Sequence, residues 1–204
     1  MAIDVKPTRS ELMKLKVKIK LAKAGHNLLK KKRDGLILDF FEILKQAKTI
    51  RAELNNSYAN AKERSDAAQA IEGKIAIKSA AAALKDKPMV ELETKNIMGV
   101  VVPKISSDEV KKSLFDRGYG TLKSSIYIDE AAGAYEDVVE KIILAAEVET
   151  AIRRLLEEIE KTKRRVNALE FKAIPEMEKQ AAFIRLRLEE MERENVFRLK
   201  RIKG

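Results

Sequence analysis

Residues 8–36 read TRSELMKLKVKIKLAKAGHNLLKKKRDGL, and apolar side chains recur through this stretch at alternating steps of three and four residues. This spacing places them on one face of an α-helix, as in the seam of a coiled coil. Continued further, the steps pass through Leu12, Leu15, Ile19, Ala22, His26, Leu29, Arg33, Leu36, Phe40, Ile43, Ala47, Ile50, Leu54, Ser57 and Ala61. The pattern predicts a helix over residues 8–61, about 80 Å long at 1.5 Å per residue. Thr8 and Glu11 have the spacing of a capping box at its start.

The C-terminal third of the chain carries the same spacing in two runs. The first run is Ala145, Val148, Ile152, Leu155, Ile159, Thr162, Val166, Leu169 and Ala173. The second run is Met177, Ala181, Ile184, Leu188, Met191, Asn195, Arg198 and Ile202. The runs are offset by one residue, and Pro175 lies at the break. Because proline usually bends a helix, we predict a helix over residues 134–203 with a kink or a local change of supercoil near Pro175.

Each of these two seams is too long to remain in water, so we expect the helices to pair with each other. An antiparallel arrangement in which Leu12 faces Met191 brings both termini to one end and places Lys30–Asp34 beside about Leu169–Ala173. His26 lies on the seam and is interpreted as a polar residue that sets the register, rather than as a pH sensor or ligand contact. Arg33 on the seam predicts either an interhelix pair, for example with Glu170, or a contact with another molecule.

Residues 62–133 lack this periodicity and predict a small middle region. Its Ala-rich stretch at 67–84 is typical of a helix. Two β-prone pieces, Val90–Lys95 and Val100–Ile105, flank the turn-forming residues of an expected hairpin, namely Asn96, Ile97, Met98, Gly99 and Val100. Residues 116–120 (Asp-Arg-Gly-Tyr-Gly) are typical of a turn. We therefore predict one elongated, all-α-dominated unit over 1–204: a long antiparallel two-helix coiled coil with a short helix and a hairpin between its arms.

Residues 36–44 (Leu-Ile-Leu-Asp-Phe-Phe-Glu-Ile-Leu) are apolar on nearly every side of the predicted helix. A two-helix seam needs only a stripe of apolar residues. The additional apolar surface predicts that a third element packs there, which is either the chain's own middle region or a partner.

The composition argues against most catalytic and metal-binding classes. The 204 residues include no Cys and one His, so no thiolate or His-rich metal site is expected. There is no P-loop motif, and paired carboxylates such as Glu157 and Glu158 lie among Lys and Arg, as on a solvated helix face. No run approaches the roughly 20 apolar residues of a membrane span, and the N-terminus has no signal-peptide core. We expect a non-enzyme without cofactors, transmembrane segment or cleaved leader.

Positive charge is concentrated near the N-terminus. Residues 1–34 hold eleven Lys and Arg against three acidic residues, which is +8 of the chain's net +10. An acidic protein, nucleic acid or an anionic membrane could each match this charge. No aromatic residue precedes Phe40 to stack on bases, which disfavours nucleic acid. A basic coiled-coil scaffold that binds nucleic acid or an acidic partner is the alternative function, and a tether with a peripheral membrane contact is another.

Four separated motifs give the chain a family resemblance. They are Pro7-Thr8-Arg9-Ser10-Glu11-Leu12, then Gly25-His26-Asn27-Leu28-Leu29-Lys30-Lys31-Lys32-Arg33-Asp34, then Asn96-Ile97-Met98-Gly99-Val100-Val101-Val102-Pro103, and finally Asn167-Ala168-Leu169-Glu170-Phe171 with Ile174-Pro175. In this order and on this helical frame, they resemble the D subunit of the A-type and V-type rotary ATPases from end to end. The short C-terminal tail is more similar to archaeal-type members.

The resemblance implies a central-stalk rotor shaft. Its expected partners are the A and B subunits of a catalytic hexamer, the F subunit, and the C subunit above a membrane rotor ring, on the cytoplasmic side of the cell membrane as a peripheral part of the complex. We predict partner contacts at Lys14, Lys18, His26, Lys30, Lys31, Lys32, Arg33, Arg164, Arg165, Glu170, Phe171 and Pro175. We hypothesise that the part of the helix pair at Lys30–Asp34 is a bearing that contacts the hexamer as the shaft turns. Exposed ion pairs are weak enough to permit motion there.

Overall fold

A computed structural model describes residues 6–83, 89–107, 110–112, 117–118 and 125–203. In chain order its elements are α1 (Arg9–Glu72), α2 (Lys74–Ala83), β1 (Val90–Ile97), β2 (Val100–Ser107), α3 (Ile126–Ala168), a π-helical segment (Leu169–Ala173) and α4 (Ile174–Lys203). Long N- and C-terminal helices with a short helix and an antiparallel hairpin between them confirm the predicted fold class. The chain divides into two compact units, of which the first holds residues 1–37 and 158–204 and the second holds residues 38–157. The turn predicted at 116–120 lies outside the described residues except for Arg117 and Gly118.

Helix α1 begins with half of the expected capping box. The Glu11 N–H donates to Thr8 Oγ1 at 3.2 Å, so a free amide of the first turn is satisfied. The reciprocal bond is replaced, because the Thr8 N–H donates to the Lys6 carbonyl and the Glu11 carboxylate accepts from Lys14.

Gly73 ends α1 and divides the Ala-rich stretch that the sequence predicted as one helix. Its φ of 83° lies in the left-handed region, which glycine adopts without steric cost. The first part of the stretch therefore belongs to α1, and the rest forms α2. The Ala-rich composition favours one continuous helix, but Gly73 in the left-handed conformation separates α1 from α2.

In the first unit, the buried faces of the helices are the predicted seams. On α1, Leu36 is fully buried, and the residues from Leu12 to Arg33 at steps of three and four are partly buried. On the C-terminal helices, Thr162, Val166 and Ile184 are essentially inaccessible to solvent. Inter-helix pairs join Arg9 to Glu192 and Lys23 to Glu178, so residue numbers rise along one helix and fall along the other. The two helices of this unit pair antiparallel, as predicted.

The π-helical segment lies where the two C-terminal apolar runs change phase. Its bonding is seen at Ile174, whose N–H donates to the Leu169 carbonyl five residues earlier. A π segment accommodates one more residue per turn than the α-helix around it. This extra residue equals the one-residue offset between the runs, so Val166 before the segment and Ile184 after it both stay on the buried face.

The second unit has its own small core and carries the hairpin. Ala61 of α1 packs with Ala134 and Val138 of α3, and Leu54 borders this cluster. Strands β1 and β2 pair antiparallel, with Ile97 opposite Val100, which confirms the predicted hairpin. In the stretch 36–44, Leu38 and Phe41 remain exposed, so no described part of the chain covers these two side chains.

Candidate partner interface

His26 and Glu170, which come from two different motifs, meet in the first unit. His26 Nε2 lies 3.3 Å from Glu170 Oε2, and the imidazole side chain is 15% exposed. The predicted Arg33–Glu170 pair is wrong, because Glu170 faces His26 and the Arg33 guanidinium donates to the neighbouring Asp34 at 2.7 Å and 3.0 Å. The Arg33 guanidinium therefore pairs with the Asp34 carboxylate of the next residue instead of the Glu170 carboxylate on the facing helix.

The predicted position of Lys30–Asp34 along the C-terminal helix is also wrong. Lys32 Nζ lies 3.2 Å from Glu158 and both side chains are partly buried, so Lys30–Asp34 does not lie beside Leu169–Ala173. The prediction extrapolated one assumed facing pair, Leu12 and Met191, along two ideal helices. The C-terminal helix instead covers 20 residues from Glu178 to Glu158 while α1 covers nine from Lys23 to Lys32. The single extra residue of the π segment accounts for a small part of this difference, and the reach of the long paired side chains along the helices also contributes.

Several predicted contact residues are satisfied within their own helix or at the helix pair. Lys14 forms an ion pair with Glu11 at 3.0 Å, and Arg164 does so with Glu160 one turn earlier. Pro175 is partly buried next to the π segment. Lys14, Arg33 and Arg164 therefore pair within their own helices, whereas His26 and Lys32 pair across to the C-terminal helix.

A second group is exposed and uncommitted. Lys18, Lys30, Lys31 and Arg165 are exposed, and no described carboxylate lies within ion-pair distance of them. The Phe171 side chain is exposed on the π segment. These cations are hydrated and carry no ion pair with the described residues, so they are available to an external acidic surface, where each exposed pair would contribute about 0–1 kcal/mol.

Sequence reasoning followed only one apolar face of α1 and missed another. Met13, Val17, Leu21 and Leu28 are each between 68% and 72% exposed, and we call them the outer stripe. Their spacing, with Ala24 between Leu21 and Leu28, again combines steps of four and three residues. A second helical wheel, drawn after removing the first seam, would have identified this stripe.

The hairpin residues form a tight two-residue turn in the second unit. Met98 and Gly99 have φ values of 49° and 85°, as in the type I′ turns that match the twist of paired strands. Asn96 Oδ1 accepts from the Gly99 N–H at 2.8 Å. The β2 edge is tied to α3, since the Ile105 N–H donates to Glu147 at 3.0 Å and Arg154 donates to the Val101 carbonyl at 2.6 Å. The side chains of β1 are almost all exposed.

The second unit also has a polar surface pocket of about 410 Å³. Arg117 crosses its floor, donating to both Glu136 oxygens at 3.0 Å and 2.9 Å and to the Asp129 carbonyl at 3.1 Å. Lys111 donates to Asp137 at 2.9 Å, and this hydrogen bond and charge, with the charge of Glu140, raise the Lys111 pKa. In this pocket Arg117 thus pairs with Glu136 and Lys111 with Asp137, whereas Arg64 donates to Asn60 at 3.1 Å.

No helix in the described ranges has an apolar stretch long enough to cross a membrane. Those ranges also bring no three or more His, Asp or Glu side chains together as a metal site would require.

Comparison with known proteins gives one consistent answer. The family model described as the D subunit of ATP synthase matches residues 11–204. The chain is 63% identical to the A-type ATP synthase D subunit of Methanococcoides burtonii over 202 residues, which is 99% of this chain and 98% of the relative. It is 61% identical to that of Methanosarcina mazei, covering 98% and 96%, and 56% identical to that of Haloquadratum walsbyi, covering 100% and 88%. This chain, with its four motifs, paired terminal helices and hairpin, therefore belongs to the ATP synthase D-subunit family.

Proposed function

We propose that this chain is the non-catalytic central-stalk rotor shaft of an A/V-type rotary ATP synthase. In this role it couples ion translocation through the membrane ring to ATP synthesis or hydrolysis in the A3B3 hexamer. The observation that carries the proposal is the antiparallel helix pair of the first unit, together with membership of the ATP synthase D-subunit family. A shaft must resist twisting, and two helices that bury a common seam resist it better than one helix.

The surface of the first unit also supports this role. Exposed cations at Lys18, Lys30, Lys31 and Arg165 carry a positive field with few internal partners. Such a surface is attracted to acidic groups around it without a single deep, specific contact. Because exposed ion pairs contribute only about 0–1 kcal/mol each, they can be exchanged as the shaft turns.

The proposed partners follow from this role. The A and B subunits would surround the paired terminal helices, and the second unit with its hairpin would be available to the F subunit and to the C subunit above the ring. The chain would be peripheral, on the cytoplasmic side of the membrane complex.

A rotation assay tests the proposal directly. The chain has no cysteine, so Thr94→Cys on the exposed β1 strand gives a single attachment point for a bead. With the A3B3 hexamer fixed to glass, we expect unidirectional bead rotation that requires ATP. A complex that hydrolyses ATP at its normal rate while the bead does not turn would refute the shaft role. Failure of the chain to copurify with A and B subunits would also contradict it.

A further inference from the structure

The polar pocket of the second unit has one wall that is built by α1. Ser57, Asn60 and Arg64 line this wall. At about 100° per residue, their spacing of three and four residues places them within an arc of roughly 60° on one face of the helix. Residues of α3, the segment 110–112 and Arg117 supply the rest of the lining. Side chains from separate parts of the second unit therefore converge on one cavity of about 410 Å³.

The side-chain oxygens of the α1 wall already accept hydrogen bonds within the protein. Arg64 Nε donates to Asn60 Oδ1 at 3.1 Å, and Lys141 Nζ donates to Ser57 Oγ. The amide nitrogen of Asn60, the hydroxyl hydrogen of Ser57 and both terminal Nη groups of Arg64 have no acceptor among the described residues. The wall thus offers hydrogen-bond donors to the cavity, and donors suit an anion rather than a metal cation.

Most charges on the other walls of the pocket are paired with each other. Arg117 donates to both carboxylate oxygens of Glu136, and Lys111 Nζ lies 2.9 Å from Asp137. Glu130 is a lining carboxylate that has no ion pair among the described residues. Four cationic and three anionic side chains line the described pocket in all, so an anion against the α1 wall meets a slightly positive environment.

We propose that this pocket binds a phosphate group, carried either by inorganic phosphate or by a nucleotide. A phosphate monoester carries about −1.5 to −2 charges near pH 7 and three strong acceptor oxygens, which match the donors of the α1 wall. The planar guanidinium of Arg64 can donate to two of these oxygens at once. The volume of about 410 Å³ lies within the range of about 300–1,000 Å³ of small-molecule sites. The proposal goes beyond the shaft role, because it concerns a ligand of this chain whether or not the chain rotates.

Calorimetric titration of the full-length chain tests for the site. Inorganic phosphate, ADP and acetate are titrated separately in about 150 mM NaCl, which screens attraction to the net +10 chain beyond about 8 Å. We expect saturable binding of one phosphate group per chain and weaker binding of acetate. Tighter binding of inorganic phosphate would identify the free ion as the ligand, and tighter binding of ADP would identify a nucleotide. The proposal is overturned if neither saturates the chain or if acetate binds as tightly.

Two substitutions in the α1 wall test whether its donors hold the phosphate. Arg64→Gln removes the guanidinium, whereas Asn60→Asp keeps an oxygen for Arg64 Nε and places a negative charge where the ligand binds. We expect each to weaken phosphate binding about tenfold or more. The matched control is Arg51→Gln, which makes the same change of charge at an exposed position of α1 outside the lining. An equal loss from the control would mean that the ion responds only to net charge, and the assigned site would be wrong.

A third substitution should act in the opposite direction. Glu130→Gln removes the unpaired lining carboxylate, so we expect phosphate to bind about threefold or more tightly. Glu53→Gln on the exposed face of α1 is its control and should leave the affinity unchanged. Asn60, Arg64 and Glu130 are all exposed, so the fold should be retained, as circular dichroism would verify. Unchanged or weaker binding in a folded Glu130→Gln chain would overturn the proposal and leave the shaft role intact.

Discussion

Deleting one residue inside the π-helical segment should be far less harmful than deleting one elsewhere in the same helix. The segment holds the extra residue that separates the two C-terminal apolar runs, so removing Lys172 allows Leu169–Ala173 to become ordinary α-helix. Both runs then follow one continuous three-four repeat. Because a proline ring in regular α-helix meets the carbonyl four residues back, the deletion is made together with Pro175→Ala.

The matched control removes Lys163, again with Pro175→Ala. This deletion rotates the segment between Lys163 and the π region by about 100° relative to the helix before it. Whether or not the π segment adjusts, Val166 and Leu169 leave the buried face. At about 1.5–3 kcal/mol for each buried aliphatic side chain, the expected loss is roughly 3–6 kcal/mol.

The assay is urea unfolding of the full-length chain, followed by circular dichroism at 222 nm, with Pro175→Ala alone as the reference. We expect the Lys172 deletion to stay within about 1 kcal/mol of that reference and the Lys163 deletion to show the larger loss. Equal losses from the two deletions would show that the π segment does not absorb the extra residue, and the explanation of the phase change would be wrong.

Three further predictions concern single sites. Ile184→Ala should cost about 2–5 kcal/mol in urea unfolding because the side chain is fully buried, whereas Leu186→Ala, at 55% exposure, should cost under about 0.5 kcal/mol; similar values would contradict the assigned seam. Arg117→Met removes the cation shared by Glu136 and Asp129 and should cost about 3 kcal/mol, with a smaller loss when Glu136→Leu is added; an additive loss in the double variant would argue against a coupled buried pair. Met98→Asn places a residue that tolerates positive φ in the type I′ turn and should slow amide hydrogen exchange across β1 and β2, corresponding to about 0.5–1 kcal/mol; faster exchange would count against the turn assignment.

The helices and the hairpin could be predicted because each has a local signature. Apolar steps of three and four residues defined the buried face of α1 from Leu12 to Leu36, and the one-residue phase change marked the place of the π segment. Two β-prone pieces around Met98-Gly99 defined the hairpin. These features depend on near neighbours in the sequence, which is why one sequence was sufficient to find them.

Features that depend on the facing helix were harder to predict. The partner of Glu170 is His26 rather than Arg33, because side-chain reach and competition with Asp34 decide between two nearby cations. Which residue of the C-terminal helix faces Lys32 depends on how the register between the two helices changes along their whole length, and one of these helices contains a π segment. The outer stripe has similar steps of three and four residues in the sequence, but it is overlooked when only the most apolar face of α1 is considered.

Among the described residues, strand β1 is hydrogen-bonded only to β2, which bears on how the protein is handled. The side chains of β1 face solvent, with the charged residues Glu91, Glu93 and Lys95 at alternate positions. An unpaired strand edge can template further strands and begin a fibril, and charged side chains oppose such stacking because identical copies repel one another. We therefore expect the charges of β1 to oppose self-association through this edge. It should keep concentrated samples of the chain clear, and neutralising it should be the quickest way to make them turbid.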